Sequence, residues 1–206
     1  MGQSATARAH TNIALIKYWG KKDPALIIPY NSSLSMTLDH FYTDTTVTFS
    51  TDLSADQILF NEQPADVTTH HKMSRFIDLV RQRAHFNYKA RIETTNLVPN
   101  AAGLASSASG YAALAAAASK AAGLTLDRQA LSRLARRGSG SATRSIYGGF
   151  VEWQRGTNDN DSYALPFQES VDWDIQMIAI VLNDRQKAVA SRAGMANVVA
   201  TSPYYP

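Results

Sequence analysis

The sequence lacks the features that several large protein classes require. Its 206 residues include no cysteine, which excludes a disulfide framework and a thiolate metal site within this chain. No apolar run approaches the roughly 20 residues that span a bilayer, and the first residues have no signal-peptide apolar core. Twenty basic residues face 17 acidic ones without a block of like charge. The composition therefore favours a cytoplasmic protein with a small anionic ligand over one that binds nucleic acid or membrane.

The sequence contains enough apolar residues to form the core of a packed domain. With 45% hydrophobic and 18% charged residues, the chain can form one domain, or one domain and part of another. Apolar residues at helical spacing, Met73, Phe76, Ile77 and Val80, predict a surface helix within residues 66–84.

The remaining predicted elements follow from local patterns. Alternating polar and apolar residues predict strands at 6–10, 31–38, 45–50, 57–60, 88–95 and 150–154, with an antiparallel, hairpin-rich opening. Small apolar residues predict a helix over 106–122, and an Asp127 N-cap predicts a helix that stops before Gly138. The apolar run at 175–182 predicts a buried strand that begins a second layer or domain.

The most informative segment leads into the alanine-rich helix. Its small residues between 101 and 109 allow the backbone to close around an anion, and Ser106, Ser107 and Ser109 provide hydroxyl groups. A helix start also offers unpaired N–H groups and a partial positive charge. The segment therefore predicts a phosphate cradle, and the alternative is an alanine-rich packing helix with a serine cap.

Two other segments carry positive charge beside small polar residues. Lys17 and Lys21 lie close together in a turn, and two ammonium groups suit a polyanionic ligand. Arg144 follows Ser139 and Ser141, so a guanidinium fork and two hydroxyls are available for a diphosphate or a carboxylate. The alternatives are an ordinary solvated turn for the lysines and a surface ion pair for Arg144.

Five segments together resemble the mevalonate diphosphate decarboxylases of the GHMP kinase superfamily. They span residues 12–21, 31–38, 99–114, 138–150 and 191–203. The most specific pieces are Ala14-Leu-Ile-Lys-Tyr-Trp-Gly-Lys21 and Gly138-Ser-Gly-Ser-Ala-Thr-Arg-Ser145. The resemblance implies an α+β fold, with a ribosomal protein S5 domain 2-like N-terminal domain over residues 1–170 that binds ATP and substrate. The truncated start of a C-terminal domain would follow over residues 171–206.

The resemblance also implies an activity and its cofactors. Members of this family convert mevalonate 5-diphosphate to isopentenyl diphosphate in the mevalonate pathway, with release of ADP, phosphate and CO2. It implies ATP and Mg2+ as cofactors, a homodimer, and no nucleic-acid or membrane partner. The alternatives are a mevalonate or phosphomevalonate kinase of the same superfamily and a non-catalytic ATP-binding remnant.

The resemblance implies catalytic, substrate-binding and nucleotide-binding residues. Catalytic roles go to Lys17 and Arg144, and the substrate site contains Tyr18, Trp19, Gly20, Lys21, Arg75, Ser139, Gly140, Ser141, Ala142, Thr143, Arg144 and Thr201. The nucleotide site contains Asn96, Gly103, Leu104, Ala105, Ser106, Ser107, Ala108 and Ser109, with Ser107 facing Mg2+. Family members are longer and carry an aspartate thought to act on the 3-hydroxyl. Because no residue here fills that role, we expect a fragment that cannot turn over alone.

Overall fold

A computed structural model describes residues 3–98, 106–178 and 191–204. The helices are α1 (Val67–Ala84), α2 (Ser106–Ala121), α3 (Arg128–Gly138) and α4 (Ser191–Thr201), with a 3₁₀ helix at Gly140–Ile146. The strands are β1 (Gln3–Ile16), β2 (Lys21–Asp23), β3 (Ile28–Pro29), β4 (Ser33–Ser50), β5 (Gln57–Phe60), β6 (Gln63–Pro64), β7 (Lys89–Asn96), β8 (Phe150–Trp153) and β9 (Ala164–Gln168). This mixture confirms the α+β prediction.

The long strand β4 organises the main sheet, whose order is β6-β5-β7-β4-β8-β9. One end of β4 pairs with β7 and the other end pairs with β8. β1 pairs with β4 at both ends, so it lies on the opposite side of β4 from β7 and β8. Neighbouring strands are antiparallel except β5 and β7, which are parallel. The β2–β3 hairpin is a separate small sheet between β1 and β4 in the chain.

Helices α1, α2 and α3 pack around one core with the main sheet. The four apolar residues predicted to face inward from α1 are all buried, so that prediction is confirmed. Ten of the 16 residues of α2 are buried, seven of them alanines, and their small side chains allow close packing on β1 and β4. The predicted cap of α3 is also confirmed, since the Asp127 carboxylate accepts a 2.7 Å hydrogen bond from the backbone N–H of Ala130.

Two sequence predictions differ from the structure, and one element was missed. The strands predicted at 31–38 and 45–50 contribute to the single strand β4, because the chain stays extended between them and pairs with β1 on both sides of a register shift instead of turning. The 3₁₀ helix at Gly140–Ile146 was not predicted. The buried strand predicted at 175–182 is wrong for its described part, since residues 175–178 have no regular structure and Ile178 is 83% exposed. Residues 179–182 lie outside the described ranges.

None of the helices within the described residues combines the length and the apolar character that a membrane span requires. The predicted domain boundary near residue 170 follows the end of β9 at Gln168, and it stays a prediction.

Candidate active site

The start of α2 presents two hydroxyls and buries a third. Ser106 and Ser107 are exposed, whereas Ala108 and Ser109 are fully buried. The Ser109 hydroxyl lies 2.7 Å from that of Thr43, which in turn donates a 3.0 Å hydrogen bond to the Asn96 side-chain oxygen. Ser109 and Asn96 therefore tie α2 to β4 and β7, and the hydroxyls available to a ligand are those of Ser106 and Ser107. The predicted nucleotide residues Gly103, Leu104 and Ala105 lie outside the described residues.

The 3₁₀ helix begins where α3 ends, and its first residues are held tightly. The N–H of Ser139 donates a 3.1 Å hydrogen bond to the Ala135 carbonyl and closes α3. Gly140 lies against Tyr18, and a Cβ atom at this position would be 2.5 Å from the Tyr18 hydroxyl oxygen. The Thr143 hydroxyl donates a 2.6 Å hydrogen bond to the Gly140 carbonyl. Thr143 and its buried neighbour Ala142 therefore support the turn.

Three hydroxyls form a row across α2 and the 3₁₀ helix. The Ser107 and Ser139 oxygens are 3.2 Å apart, and the Ser139 and Ser141 oxygens are also 3.2 Å apart. Ser107 is exposed, and Ser139 and Ser141 are half-buried. This hydroxyl row, Ser107–Ser139–Ser141, brings the predicted nucleotide segment into contact with the predicted substrate segment.

Arg144 is buried beside the hydroxyl row without a carboxylate partner among the described residues. It is 1% exposed, and it donates hydrogen bonds to the Ser33 hydroxyl and to the Asn12 amide oxygen. Its Nε has no hydrogen-bond partner in the described part of the chain. Burial lowers the pKa of Arg144 to about 10, and the nearby Tyr18 opposes this shift. The alternative of a surface ion pair is wrong within the described ranges, because Arg144 is neither exposed nor paired with an acid.

The other two buried arginines in the described residues have structural roles, because each forms an ion pair with an aspartate. Arg81 is 5% exposed and forms an ion pair with Asp56. Arg136 is fully buried and forms an ion pair with Asp159. A buried charge is costly unless it is paired, and both of these arginines meet that condition. Only Arg144, of the three buried arginines in the described residues, is left to neutral partners.

Two residues that orient Arg144 were not assigned to the site from the sequence. Asn12, on β1, accepts from Arg144 and donates to the Ser141 carbonyl at 3.0 Å and to the Ser145 hydroxyl at 2.8 Å. Ser33 begins β4 and is 1% exposed. The predicted strand ended at residue 10, so no sequence pattern indicated that the Asn12 amide is buried and therefore requires partners.

The turn between β1 and β2 contributes Tyr18 to the same region. The Tyr18 ring packs edge-on against Trp153, with 4.7 Å between the ring centroids. Trp19 is 37% exposed, and the buried Gly20 accepts a hydrogen bond from the N–H of Tyr30. Lys21 begins the β2–β3 hairpin. Lys17 is exposed, and its ammonium group donates a 2.9 Å hydrogen bond to the Ala14 carbonyl.

Two predicted substrate residues are not brought into the site by contacts in the described residues. Arg75 lies on the exposed side of α1. Thr201, at the end of α4, is exposed, and its hydroxyl donates a 2.8 Å hydrogen bond to the Asn197 carbonyl of its own helix. Neither forms a hydrogen bond or an ion pair with the hydroxyl row or with Arg144, and their roles stay predictions.

Comparisons with known proteins match this chain to relatives of one family. A family model described as the diphosphomevalonate decarboxylase-like N-terminal domain matches residues 9–164. The diphosphomevalonate decarboxylase of Ganoderma lucidum is 41% identical over 216 residues, which cover 97% of this chain and 54% of the relative. The chain therefore spans about half the length of the curated relatives that it matches.

Solved structures agree with this match. The crystal structure of mevalonate diphosphate decarboxylase from Staphylococcus aureus superposes with a TM-score of 0.86 and 52% identity, over 95% of this chain and 59% of that protein. A structure described as MDDEF in complex with MVAPP, AMPPCP and magnesium has a TM-score of 0.87 and 48% identity, over 98% and 62% of the two chains. The chain belongs to the diphosphomevalonate decarboxylase-like family, whose N-terminal domain it contains.

Proposed function

We propose that this chain forms the ATP-binding and substrate-binding part of a diphosphomevalonate decarboxylase. The reaction converts mevalonate 5-diphosphate and ATP to isopentenyl diphosphate, CO2, ADP and phosphate. The tertiary 3-hydroxyl accepts a phosphoryl group and then leaves as phosphate. The bond to the carboxylate breaks, its electron pair forms the alkene, and CO2 is released. Such a reaction depends chiefly on positioning and on stabilisation of charge.

The uncompensated charge of Arg144 is the observation that carries this proposal. A carboxylate that reaches Arg144 would supply the missing counter-charge, and a charge-assisted hydrogen bond to a guanidinium is among the strong ones. Mevalonate 5-diphosphate carries a carboxylate at one end and a diphosphate at the other. With the carboxylate at Arg144, Ser139, Ser141 and Tyr18 are available to the rest of the ligand. Lys17 and Lys21 add positive charge in the adjoining turn.

The start of α2 fits a nucleotide with its metal. Ser106 and Ser107 are exposed there, and the first-turn N–H groups of a helix bind phosphate oxygens. The Ser107 hydroxyl has lone pairs suited to Mg2+, which prefers oxygen ligands and is commonly shared with substrate phosphates. Bound ATP supplies the phosphoryl group that makes the 3-hydroxyl a leaving group. Ser107 and Ser139 lie within hydrogen-bond distance, so the two ligands would meet at the hydroxyl row.

Calorimetry with three ligands tests the proposal. We expect the 206-residue chain to bind mevalonate 5-diphosphate more tightly than mevalonate 5-phosphate or mevalonate, because only the diphosphate presents the full charge to Ser139, Ser141 and the lysines. Tighter binding of mevalonate itself would favour the kinase alternative. Simultaneous measurement of ADP and CO2 separates the chemistry, since a kinase releases ADP without CO2 and a binding remnant releases neither.

Several finer points remain predictions. The homodimer, the cytoplasmic location and the catalytic role of Lys17 follow from the resemblance or from composition. The exposed position of Lys17 is compatible with a ligand-binding role, and Lys17→Met should lower turnover in any chain that shows CO2 release.

A further inference from the structure

Four arginines lie together on a surface that does not include the hydroxyl row. They come from α1 and α3, two helices that pack against each other. Two of them also contact the loop after β8. Arg133 donates a 3.3 Å hydrogen bond to the Asn160 carbonyl. The Arg137 guanidinium lies 3.6 Å from the Asp159 carboxylate. This arginine cluster consists of Arg83 in the last turn of α1 and of Arg133, Arg136 and Arg137 on α3.

One carboxylate lies among these four charges within the described part of the chain. Asp159 forms an ion pair with Arg136, which is fully buried, and this pair accounts for its single negative charge. The side chains of Arg83, Arg133 and Arg137 then keep three positive charges without an equal number of acids. The other acids of these segments have partners of their own: Asp78 pairs with Arg81, Asp127 caps α3, and Asp161 accepts hydrogen bonds from the N–H groups of Thr157 and Asn158.

These three positive charges repel one another. Arg133 and Arg137 are one helical turn apart, and like charges at that spacing destabilise a helix. Partial burial lowers the pKa of Arg83, the charges of Arg133 and Arg137 lower it further, and Asp159 opposes these shifts. Arg83 forms no hydrogen bond or ion pair with any other described residue. A helix dipole favours basic residues in a last turn, but it does not require arginines from two helices to converge.

A multiply charged anion from outside the chain would relieve this repulsion. A guanidinium group binds phosphate oxygens through two parallel N–H donors and stays charged at neutral pH. All three arginines reach the surface, since Arg83 is exposed, Arg133 is half-buried and the Arg137 side chain is 24% exposed. A diphosphate spreads several charges over two phosphoryl groups and suits guanidinium groups from two helices, whereas a single carboxylate offers one charge.

We propose that Arg83, Arg133 and Arg137 bind a diphosphate group at a site separate from the proposed substrate and nucleotide positions. Arg136 is not part of this site, because its side chain is fully buried. The inference does not rest on the proposed function. Within the described ranges, none of the three arginines forms a hydrogen bond or an ion pair with the hydroxyl row or with Arg144.

Calorimetry with inorganic diphosphate, without Mg2+ and at constant ionic strength, tests the site. The proposed substrate position can also take this anion, so the readout is the number of diphosphates bound per 206-residue chain. We expect Arg133→Gln/Arg137→Gln to bind one diphosphate fewer than the wild-type chain. Arg83→Gln should weaken the binding of that same diphosphate by about tenfold to 150-fold, the value of one hydrogen bond to a charged group.

Arg91→Gln is the matched control for a lost surface charge. Arg91 is exposed on β7, and its ion pair with Glu93 lies outside the cluster. This variant should keep both the number of bound diphosphates and their affinities.

Other anions define the ligand class. Citrate carries several charges on carboxylates and should bind the cluster about tenfold more weakly than diphosphate or worse, because it lacks phosphoryl groups. Binding of isopentenyl diphosphate would assign the site to diphosphate esters, and its failure to bind would assign the site to free diphosphate. Both results support a site for the diphosphate group.

Thermal unfolding at low ionic strength, without ligand, checks the repulsion. Arg83→Gln removes a repelled charge and breaks no hydrogen bond among the described residues, so the Tm should stay the same or rise. A lower Tm would show that Arg83 stabilises the fold and would overturn the proposed role. If the double variant does not fold, the affinity of Arg83→Gln decides.

Three binding results would also overturn the site. The first is an unchanged number of bound diphosphates in the double variant. The second is equal weakening in Arg83→Gln and Arg91→Gln, which reduces the effect to general electrostatic attraction. The third is citrate binding as tight as that of diphosphate. None of these results bears on the proposed function, which the calorimetry with mevalonate and its two phosphorylated forms tests separately.

Discussion

Arg144→Met separates ligand binding from folding. Burial lowers the pKa of Arg144 from its ordinary value to about 10, and one pKa unit corresponds to about 1.4 kcal/mol. Keeping the charge buried therefore costs the folded state about 3 kcal/mol. Because the folded pKa is the lower one, the unfolded chain binds more protons as the pH rises above about 10, and the cost is fully present at neutral pH. Methionine removes this charge from a position that is 1% exposed.

The substitution also removes two hydrogen bonds, so the expected change in stability is small. The Asn12 oxygen and the Ser33 hydroxyl each lose a donor, at about 1 kcal/mol or more apiece. These losses offset most of the gain, and we expect the free energy of unfolding to change by about 1 kcal/mol or less.

Arg136→Met is the matched control, because Arg136 is equally buried but has structural partners. It forms an ion pair with Asp159 and donates to the carbonyls of Leu26 and Ser162. Burial lowers the pKa of Arg136 to about 10 as well, but removing Arg136 breaks the ion pair and leaves two carbonyls without their donor, and we expect a net loss of about 3 kcal/mol. Urea unfolding followed by circular dichroism measures both variants.

Ligand binding should change in the Arg144 variant for a separate reason. A hydrogen bond to a charged group contributes about 1.5–3 kcal/mol, so Arg144→Met should weaken the binding of mevalonate 5-diphosphate by about tenfold to 150-fold in calorimetry. Wild-type affinity in this variant would refute the assignment of the carboxylate to Arg144. A loss of stability as large as that of Arg136→Met would show that Arg144 is structural.

Three further substitutions test the site and the core. Gly140→Ala places a Cβ atom 2.5 Å from the Tyr18 hydroxyl oxygen. We expect calorimetry to show that mevalonate 5-diphosphate binds about tenfold more weakly or worse. Unchanged affinity would contradict the placement of Tyr18. Ser107→Ala should weaken Mg·AMPPCP binding by about threefold to tenfold with little change in Tm, and a large drop in Tm would instead indicate a packing role. Asp56→Asn removes the charge partner of buried Arg81 and should cost about 3 kcal/mol in urea unfolding at pH 7. Burial raises the pKa of Asp56, but hydrogen bonds from Arg81 and a backbone N–H lower this pKa below its usual value. The stability of the wild-type chain should therefore fall as the pH drops below about 4. An equal fall in Asp56→Asn would argue against this assignment.

Sequence patterns were sufficient where the controlling interactions are local. The burial of Met73, Phe76, Ile77 and Val80 follows from helical spacing, and the Asp127 cap follows from a side chain three residues before its donor. The single strand β4 was divided because its polar interval resembles a turn. Its continuity depends on ladders with β1 and β7, which are distant in the sequence.

The sequence by itself determined helices α1, α2 and α3, the small residues at the start of α2 and the family, because periodicity, caps and motifs are properties of neighbouring residues. Only the tertiary structure decided that Ser107 meets Ser139, 32 residues away, and that Arg144 meets Ser33, 111 residues away. Whether a polar group finds a counter-charge depends on which elements pack around it. That packing leaves Arg144 with neutral partners and gives Arg81 and Arg136 their aspartates.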